Sequence, residues 1–237
     1  MNAGLFITGT DTGVGKTLAA RLIVRSFVGA GIRTAVMKPV AAGAEATPDG
    51  PRNDDALALM AEAGVEAPYE LVNPYCLAAP VSPHIAAAEA GVRIDLELLA
   101  ERYGQLARRA ECVVVEGAGG WLVPISDRQS MADLAVRLQL PVVLVVGLRL
   151  GCLNHALLSA EAIRSRGAHF GGWVANHLDP GFERRSENLA TLSQLLGGPP
   201  LASIAHGADT DRGRLLPAQA TQRLLAVARE SRKMHDR

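Results

Sequence analysis

Leu5-Phe6-Ile7-Thr8-Gly9-Thr10-Asp11-Thr12-Gly13-Val14-Gly15-Lys16-Thr17 runs an apolar stretch straight into a glycine-rich turn that ends on a lysine and a hydroxyl. Strand, glycine loop, lysine and hydroxyl, in that order, are the parts of a phosphate-binding loop. The glycines let successive backbone N–H groups turn inward around phosphate oxygens, and Lys16 adds a point charge. Thr17 offers its hydroxyl to Mg²⁺, and the helix that starts there points its positive end at the anion. The usual pattern G-x-x-x-x-G-K-[ST] asks for glycine at position 10, where this chain has Thr10 with Gly9 just before it. The loop is therefore longer by one residue, while the helix-start geometry of Gly15-Lys16-Thr17 is intact. A glycine-rich strand-to-helix turn with a solvated lysine has the same composition, but the strand and helix signals on either side favour the phosphate site.

Outward from this loop, short β-branched runs alternate with longer amphipathic segments. Residues 5–8, 34–37, 112–116, 142–146, 172–175 and 201–204 read as strands. Helices are expected near 15–30, 54–64, 95–110, 130–139, 153–167, 182–196 and 215–232, with Asn53 or Asp54, Asp95 and Ser130 as starts and Gly31, Gly64 and Gly167 as stops. Val113-Val114-Val115 and Val142-Val143-Leu144-Val145-Val146 are apolar on both faces, as in parallel strands covered by helices on both sides. The expected fold is a three-layer, doubly wound α/β domain with a mostly parallel sheet, P-loop NTPase-like, spanning residues 1–237 as one domain. The Pro- and Gly-rich piece 43–51 reads as a surface loop beside the site.

The chain has 237 residues, 49% hydrophobic and 20% charged, enough for a full core. Its 24 basic residues balance 24 acidic ones and aromatics make up 4%, so neither a cationic footprint nor a stacking platform for nucleic acid is expected. Cys76, Cys112 and Cys152 are odd in number and widely spaced, which points to reduced thiols and a cytoplasmic protein rather than a disulfide framework or zinc site. No apolar run approaches the length that spans a bilayer, and no signal peptide is evident, so a soluble, unprocessed protein is expected. The histidines lack metal-ligand spacing, and no serine or cysteine sits in a nucleophile signature.

In such folds ligands sit outside the carboxyl ends of the strands, so polar residues that end apolar runs are the candidates. Lys38 ends the second strand, Glu116 the run 113–115, and Asn176 the run 173–175. Glu116 stands where P-loop proteins place an acid to hold or orient Mg²⁺, and the glycines after it permit close backbone approach; an acid capping the next segment fits the pattern too. Lys38 suits charge neutralisation during transfer, or is simply solvated. Asp54 and Asp55 fit helix capping as well as a metal site.

The full set of segments is more specific. Gly9-Thr10-Asp11-Thr12 with Val14-Gly15-Lys16-Thr17, Lys38-Pro39-Val40, Arg52-Asn53-Asp54-Asp55-Ala56-Leu57 and Val72-Asn73-Pro74-Tyr75 recur in order. So do Ser82-Pro83-His84, Val115-Glu116-Gly117-Ala118-Gly119-Gly120-Trp121, Leu150-Gly151-Cys152-Leu153-Asn154-His155 and Gly172-Trp173-Val174-Ala175-Asn176. Together they resemble the dethiobiotin synthetases, ATP-dependent enzymes of biotin synthesis, from residue 4 to about 178, and the resemblance fades thereafter. That family carries the same longer loop.

The resemblance implies that CO₂ and 7,8-diaminopelargonic acid form a carbamate, ATP phosphorylates it to a carbamic–phosphoric anhydride, and the second amine closes the cyclic urea. It implies ATP and Mg²⁺ as cofactors, with Thr17, Asp55 rather than Asp54, and Glu116 around the metal, and Lys38 with Lys16 as the catalytic lysines. The nucleotide would lie against Thr12, Gly13, Val14, Gly15, Lys16, Thr17 and Leu18, with Asp55, Glu116, Gly117, Ala118, Gly119 and Asn176 completing its surroundings, Asn176 on the adenine side. Lys38, Gly119 and Gly120 would meet the diamine, and Asn154 the substrate carboxylate across a homodimer interface.

This chain departs from the family at Ala42, often a serine, at His177, often an aspartate, and at Ile204-Ala205-His206, where an Ile-Pro pair is common near the base. Two rivals share the loop. A synthetase domain of the kind acting on cobyrinic acid would bring a glutaminase-sized second domain with a Cys-His site, which is not expected in this single-domain chain. A partition-type ATPase switch usually opens its loop with Lys-Gly-Gly, where this chain has Gly9-Thr10-Asp11-Thr12.

Overall fold

The computed structural model describes residues 3–208 and 213–235. β1 (Ala3–Gly9), α1 (Lys16–Gly29) and β2 (Thr34–Met37) open the chain. An excursion follows through β3 (Val40–Ala42), β4 (Glu45–Thr47), β5 (Gly50–Arg52), α2 (Asp54–Met60), α3 (Tyr69–Val72), β6 (Tyr75–Leu77) and α4 (Pro83–Glu89). Alternation then resumes with α5 (Leu96–Ala107), β7 (Cys112–Gly120), α6 (Met131–Leu138), β8 (Val142–Gly147), α7 (Cys152–Ser165), β9 (Phe170–Asn176), α8 (Arg185–Leu196), β10 (Ala202–Ile204) and α9 (Ala218–His235).

Six strands form one parallel sheet in the order β10-β9-β8-β1-β7-β2. β1 lies in the interior, with Phe6 opposite Val115 on one side and Val142 on the other. From β1 the chain first winds outward to β2, then returns through β7 and crosses to β8. The reversal opens a crevice at the carboxyl ends of β1, β7 and β8, where open parallel sheets hold ligands.

The strand period of two sorts the apolar side chains between two cores. Phe6, Val113, Val115, Leu144 and Val146 face one core, packed with Leu99 of α5, Leu134 of α6 and Ile163 of α7. Leu5, Ile7, Val114, Val143 and Val145 face the other, packed with Ile23 and Phe27 of α1 and Leu224 of α9. Both faces of the sheet are covered, which accounts for the unbroken valine runs and completes the three-layer, mostly parallel architecture expected from them.

Several boundaries differ from the sequence expectation. α2 stops at Met60 rather than near 64, because Gly64 N bonds Thr34 O at 2.9 Å and folds the chain back onto β2. β7 runs on past Glu116 to Gly120. Segment 43–51 is not a plain loop: β4 and β5 pair antiparallel, Glu45 opposite Arg52, and Thr47 Oγ1 donates to Gly50 O at 2.6 Å. The Thr47-Pro48-Asp49-Gly50 turn carries the signal for this hairpin, proline to preset φ and glycine to take φ 97°. The short α3, α4, β3 and β6 lack enough residues to show a period.

Candidate functional site

α1 begins at Gly15, whose φ is 85°, with no side chain capping its first turn. Its free N–H groups therefore face the crevice, as an anion site requires. Gly13, at φ 75°, completes the turn. Gly15 cannot carry a side chain: a Cβ there would collide with Asn176 Nδ2. Asn176, buried at the end of β9, donates from Nδ2 to Val14 O at 2.9 Å and so braces the loop from the far side of the sheet.

Lys16 lies along the loop and donates from Nζ to Asp11 O at 3.0 Å. Burial and the nearby Lys38 charge lower its pKa below that of an ordinary lysine, against the attraction of Glu116, Asp55 and Asp11. Asp11 accepts from Thr12 N at 2.7 Å and pairs with Arg149 at 2.8 Å, tying the loop to the segment before α7.

Lys38 follows β2 and is 4% exposed, so it is not a solvated lysine. Its Nζ donates to Glu116 Oε1 at 2.6 Å and to Asp55 Oδ2 at 2.7 Å. Burial alone would lower its pKa, but the charges of Glu116 and Asp55 outweigh that and hold it above the ordinary lysine value. Burial would likewise raise Asp55, and Lys38 outweighs it to hold the carboxyl low. The capping role left open for Asp54 and Asp55 belongs to Asn53, whose Oδ1 accepts from Asp55 N at 3.1 Å and Ala56 N at 3.3 Å. Asp55 is thereby released to face Lys38.

Glu116 is fully buried within β7 and caps nothing. Thr17 Oγ1 donates to the same Oε1 at 2.8 Å, while Oε2 is buried with no hydrogen-bond partner. A buried carboxylate oxygen without a donor is costly, and a hard cation or its water would satisfy it. Thr17, Asp55 and Glu116 form an oxygen-only donor set that fits Mg²⁺ by its chemistry.

These groups line a cleft of about 620 Å³. The loop lines it through Thr12, Gly13, Gly15, Lys16 and Thr17; Lys38, Asp55, Glu116, Ala118 and Gly119 line it from the other strands. Ala42 is at its wall, with Ser82 from the turn before α4. Other candidate residues stand behind the wall. Val14 and Gly117 are buried, Gly117 against the Phe6 ring; Leu18 packs toward the α1 core; Gly120 pairs with Gly9. Asn154 is exposed on α7, outside the cleft of its own chain. His177 Nε2 and Ser203 Oγ lie 2.8 Å apart, joining the ends of β9 and β10.

The family model described as an AAA domain matches residues 3–213. An ATP-dependent dethiobiotin synthetase BioD of Pseudomonas paraeruginosa is 51% identical over 205 residues, covering 86% of this chain and 90% of the relative. That of Xanthomonas axonopodis pv. citri is 50% identical over 194 residues, covering 82% and 87%. The chain belongs to the dethiobiotin synthetase family. The relative in Vibrio cholerae is 49% identical over 206 residues, covering 87% of this chain and 89% of its own.

Solved P-loop proteins share the fold of this chain at low identity. The MinD cell division protein of Aquifex aeolicus superposes with TM-score 0.56 at 16% identity, covering 98% of this chain and 97% of that one. Chloroplast FtsY from Physcomitrella patens gives 0.52 at 18%, covering 96% and 65%. These likenesses speak for the architecture alone. Among the described residues, no helix is long and apolar enough to cross a membrane. Tyr69 and Asn73, beside the site, were given no role by sequence reasoning, although Asn73 lies in a segment that carries the resemblance.

Proposed function

We propose that this chain closes 7,8-diaminopelargonic acid and CO₂ into dethiobiotin at the expense of ATP. The observation that carries the reading, beside family membership, is Lys38 Nζ held between Glu116 and Asp55 in the cleft that the phosphate loop opens into.

The carbamate oxygen attacks the γ-phosphorus as the bond to the β-phosphate oxygen breaks, and ADP departs. The second amine then attacks the carbamoyl carbon, the bond to phosphate breaks, and the cyclic urea and phosphate are released. Bringing a carbamate to a triphosphate sets anion against anion. Lys16 and Lys38, in a buried setting, offset that repulsion and fix the line of approach. Thr17, Asp55 and Glu116 would hold Mg²⁺, which supplies further neutralisation of phosphate charge. The backbone of Gly119 and Gly120 offers the diamine a side-chain-free strip, and the N–H groups of Gly13 to Leu18 cradle the phosphates, with Asn176 on the adenine side.

A homodimer would bring Asn154, exposed on α7, to the substrate carboxylate of the neighbouring subunit. Sedimentation should then give twice the mass of the chain, and a monomer at assay concentration would contradict a shared site. Three widely spaced cysteines support a reduced, cytoplasmic setting. The activity is tested with ¹³C-bicarbonate, ATP and the diamine. Dethiobiotin one mass unit heavier is expected, and product without the label, or none, would contradict the reading.

A further inference from the structure

Lys38 and Asp55 meet at 2.7 Å, yet the chain between them passes through a hairpin whose strands are largely exposed. The hairpin cannot set this distance by itself. A chain of hydrogen bonds through Tyr69 does so instead. Asn53, which caps the helix carrying Asp55, donates its backbone N–H to Tyr69 Oη at 2.8 Å. Tyr69 Oη donates to Asn73 Oδ1 at 3.0 Å, and Asn73 Nδ2 donates to the carbonyl oxygen of Lys38 at 2.6 Å. Lys38 N donates to Val72 O at 2.7 Å, so both backbone polar groups of Lys38 are fixed to the end of α3.

The protons of this bridge balance. A phenol has one proton and two lone pairs. The proton goes to Asn73, one lone pair takes Asn53 N–H, and the other takes the Cys76 thiol, whose sulfur is 3.3 Å away. Burial pushes the Tyr69 pKa up to about 12, so the phenol keeps the proton it donates. Asn53 and Asn73 are buried, where an unpaired amide is expensive and a satisfied network is rigid. The Arg52 guanidinium covers the Tyr69 ring 4.2 Å from its centroid.

We infer that Tyr69 and Asn73 are positioning residues of the synthetase, a bridge that sets the separation of Lys38 and Asp55 and thereby the metal-side face of the site. The inference rests on the proposed reading for the roles of Lys38 and Asp55. It is tested on the full-length protein with Tyr69→Phe, which keeps the ring on Arg52 and removes only the hydroxyl. Two quantities are read: the Mg²⁺ concentration that half-saturates tight ADP binding in calorimetry, and kcat with its KM for ATP.

Tyr69→Phe should raise the half-saturating Mg²⁺ and lower kcat, each on the order of tenfold, as for partners that orient metal-side ligands. In an Asp55→Asn background the same substitution should add less than about twofold, because its effect runs through Asp55. Cys76→Ala, which leaves the bridge intact, should change neither quantity. An unchanged Mg²⁺ requirement in Tyr69→Phe, an undiminished effect on top of Asp55→Asn, or equal damage from Cys76→Ala would each overturn the inference. Asn73→Ala breaks the other end of the bridge and carries the same cycle if Tyr69→Phe does not fold. Failure of the wild type to make dethiobiotin would instead count against the proposed function, with the Mg²⁺ cycle still deciding the bridge.

Discussion

Lys38 is nearly as buried as Glu116, and its charge is maintained by two carboxylates against the cost of burial. Lys16, which lines the same cleft, is pushed the other way. The two lysines are thus unequal: Lys38 holds its proton more firmly, and Lys16 releases it more easily. Removing Lys38 leaves two carboxylates facing each other while the phosphate loop is untouched. Lys38→Ala should therefore bind ATP yet lose turnover by about 10²–10³-fold, the usual cost of one preorganised transition-state donor. Single-turnover phosphate release beside calorimetric ATP binding reads this, and turnover within twofold of wild type would contradict the charge-neutralising role. As residues, Lys38 and Glu116 were visible as polar ends of apolar runs. Their burial and mutual contact were not, because pairing across 78 positions leaves no local signal. Tyr69 was less visible still: a single tyrosine in a four-residue helix has no period to read.

At the scale of elements, helix α1 carries the loop and must keep its place against α2, which carries Asp55. Arg21 and Arg25 of α1 both reach Glu62, just beyond the end of α2, at 3.0 Å and 2.5 Å. These pairs are mostly sheltered, and the hydrogen bond from Arg25 is the first cause that holds Glu62 below the ordinary glutamate value of 4.5. A depressed folded pKa contributes stability that is complete above the unfolded value and is lost as pH falls through the folded one. Glu62→Gln should cost about 1.5–3 kcal/mol at neutral pH, the range for hydrogen bonds to charged groups. The gap from wild type should close as acid titrates the carboxylate below about pH 4.5. Urea titrations at pH 7 and in acid measure this, and a gap that stays constant with pH would contradict it. The helix starts at Asn53, Asp95 and Ser130 were legible because a cap is a local chemical signal: Asn53 and Asp95 accept from the first turn, and Ser130 forms a capping box with Asp133. The early end of α2 was not, since it depends on Gly64 meeting β2 and on Glu62 meeting α1.

At the scale of the whole molecule, the valine runs announced a sheet covered on both faces, and the alternation of strands and helices announced its parallel winding. The order β10-β9-β8-β1-β7-β2 was not legible, because which strand lies beside β1 depends on contacts far apart in the chain. That order is what matters for the site. It places the ends of β1, β7 and β2 side by side, so that Thr17, Glu116 and Lys38 converge from three separate segments on one cleft. The departures at Ala42 and His177 fall at the cleft wall and at the β9–β10 junction, away from the Lys38–Glu116 contact. The arrangement is suited to coupling ATP cleavage to a substrate that must itself bring the attacking anion. The most direct test is phosphate release by the purified protein with ATP, Mg²⁺ and bicarbonate, with and without 7,8-diaminopelargonic acid, while dethiobiotin is followed by mass. Diamine-dependent release, matched one to one by dethiobiotin, is the predicted result; hydrolysis that ignores the diamine, or no hydrolysis with it present, would contradict the account.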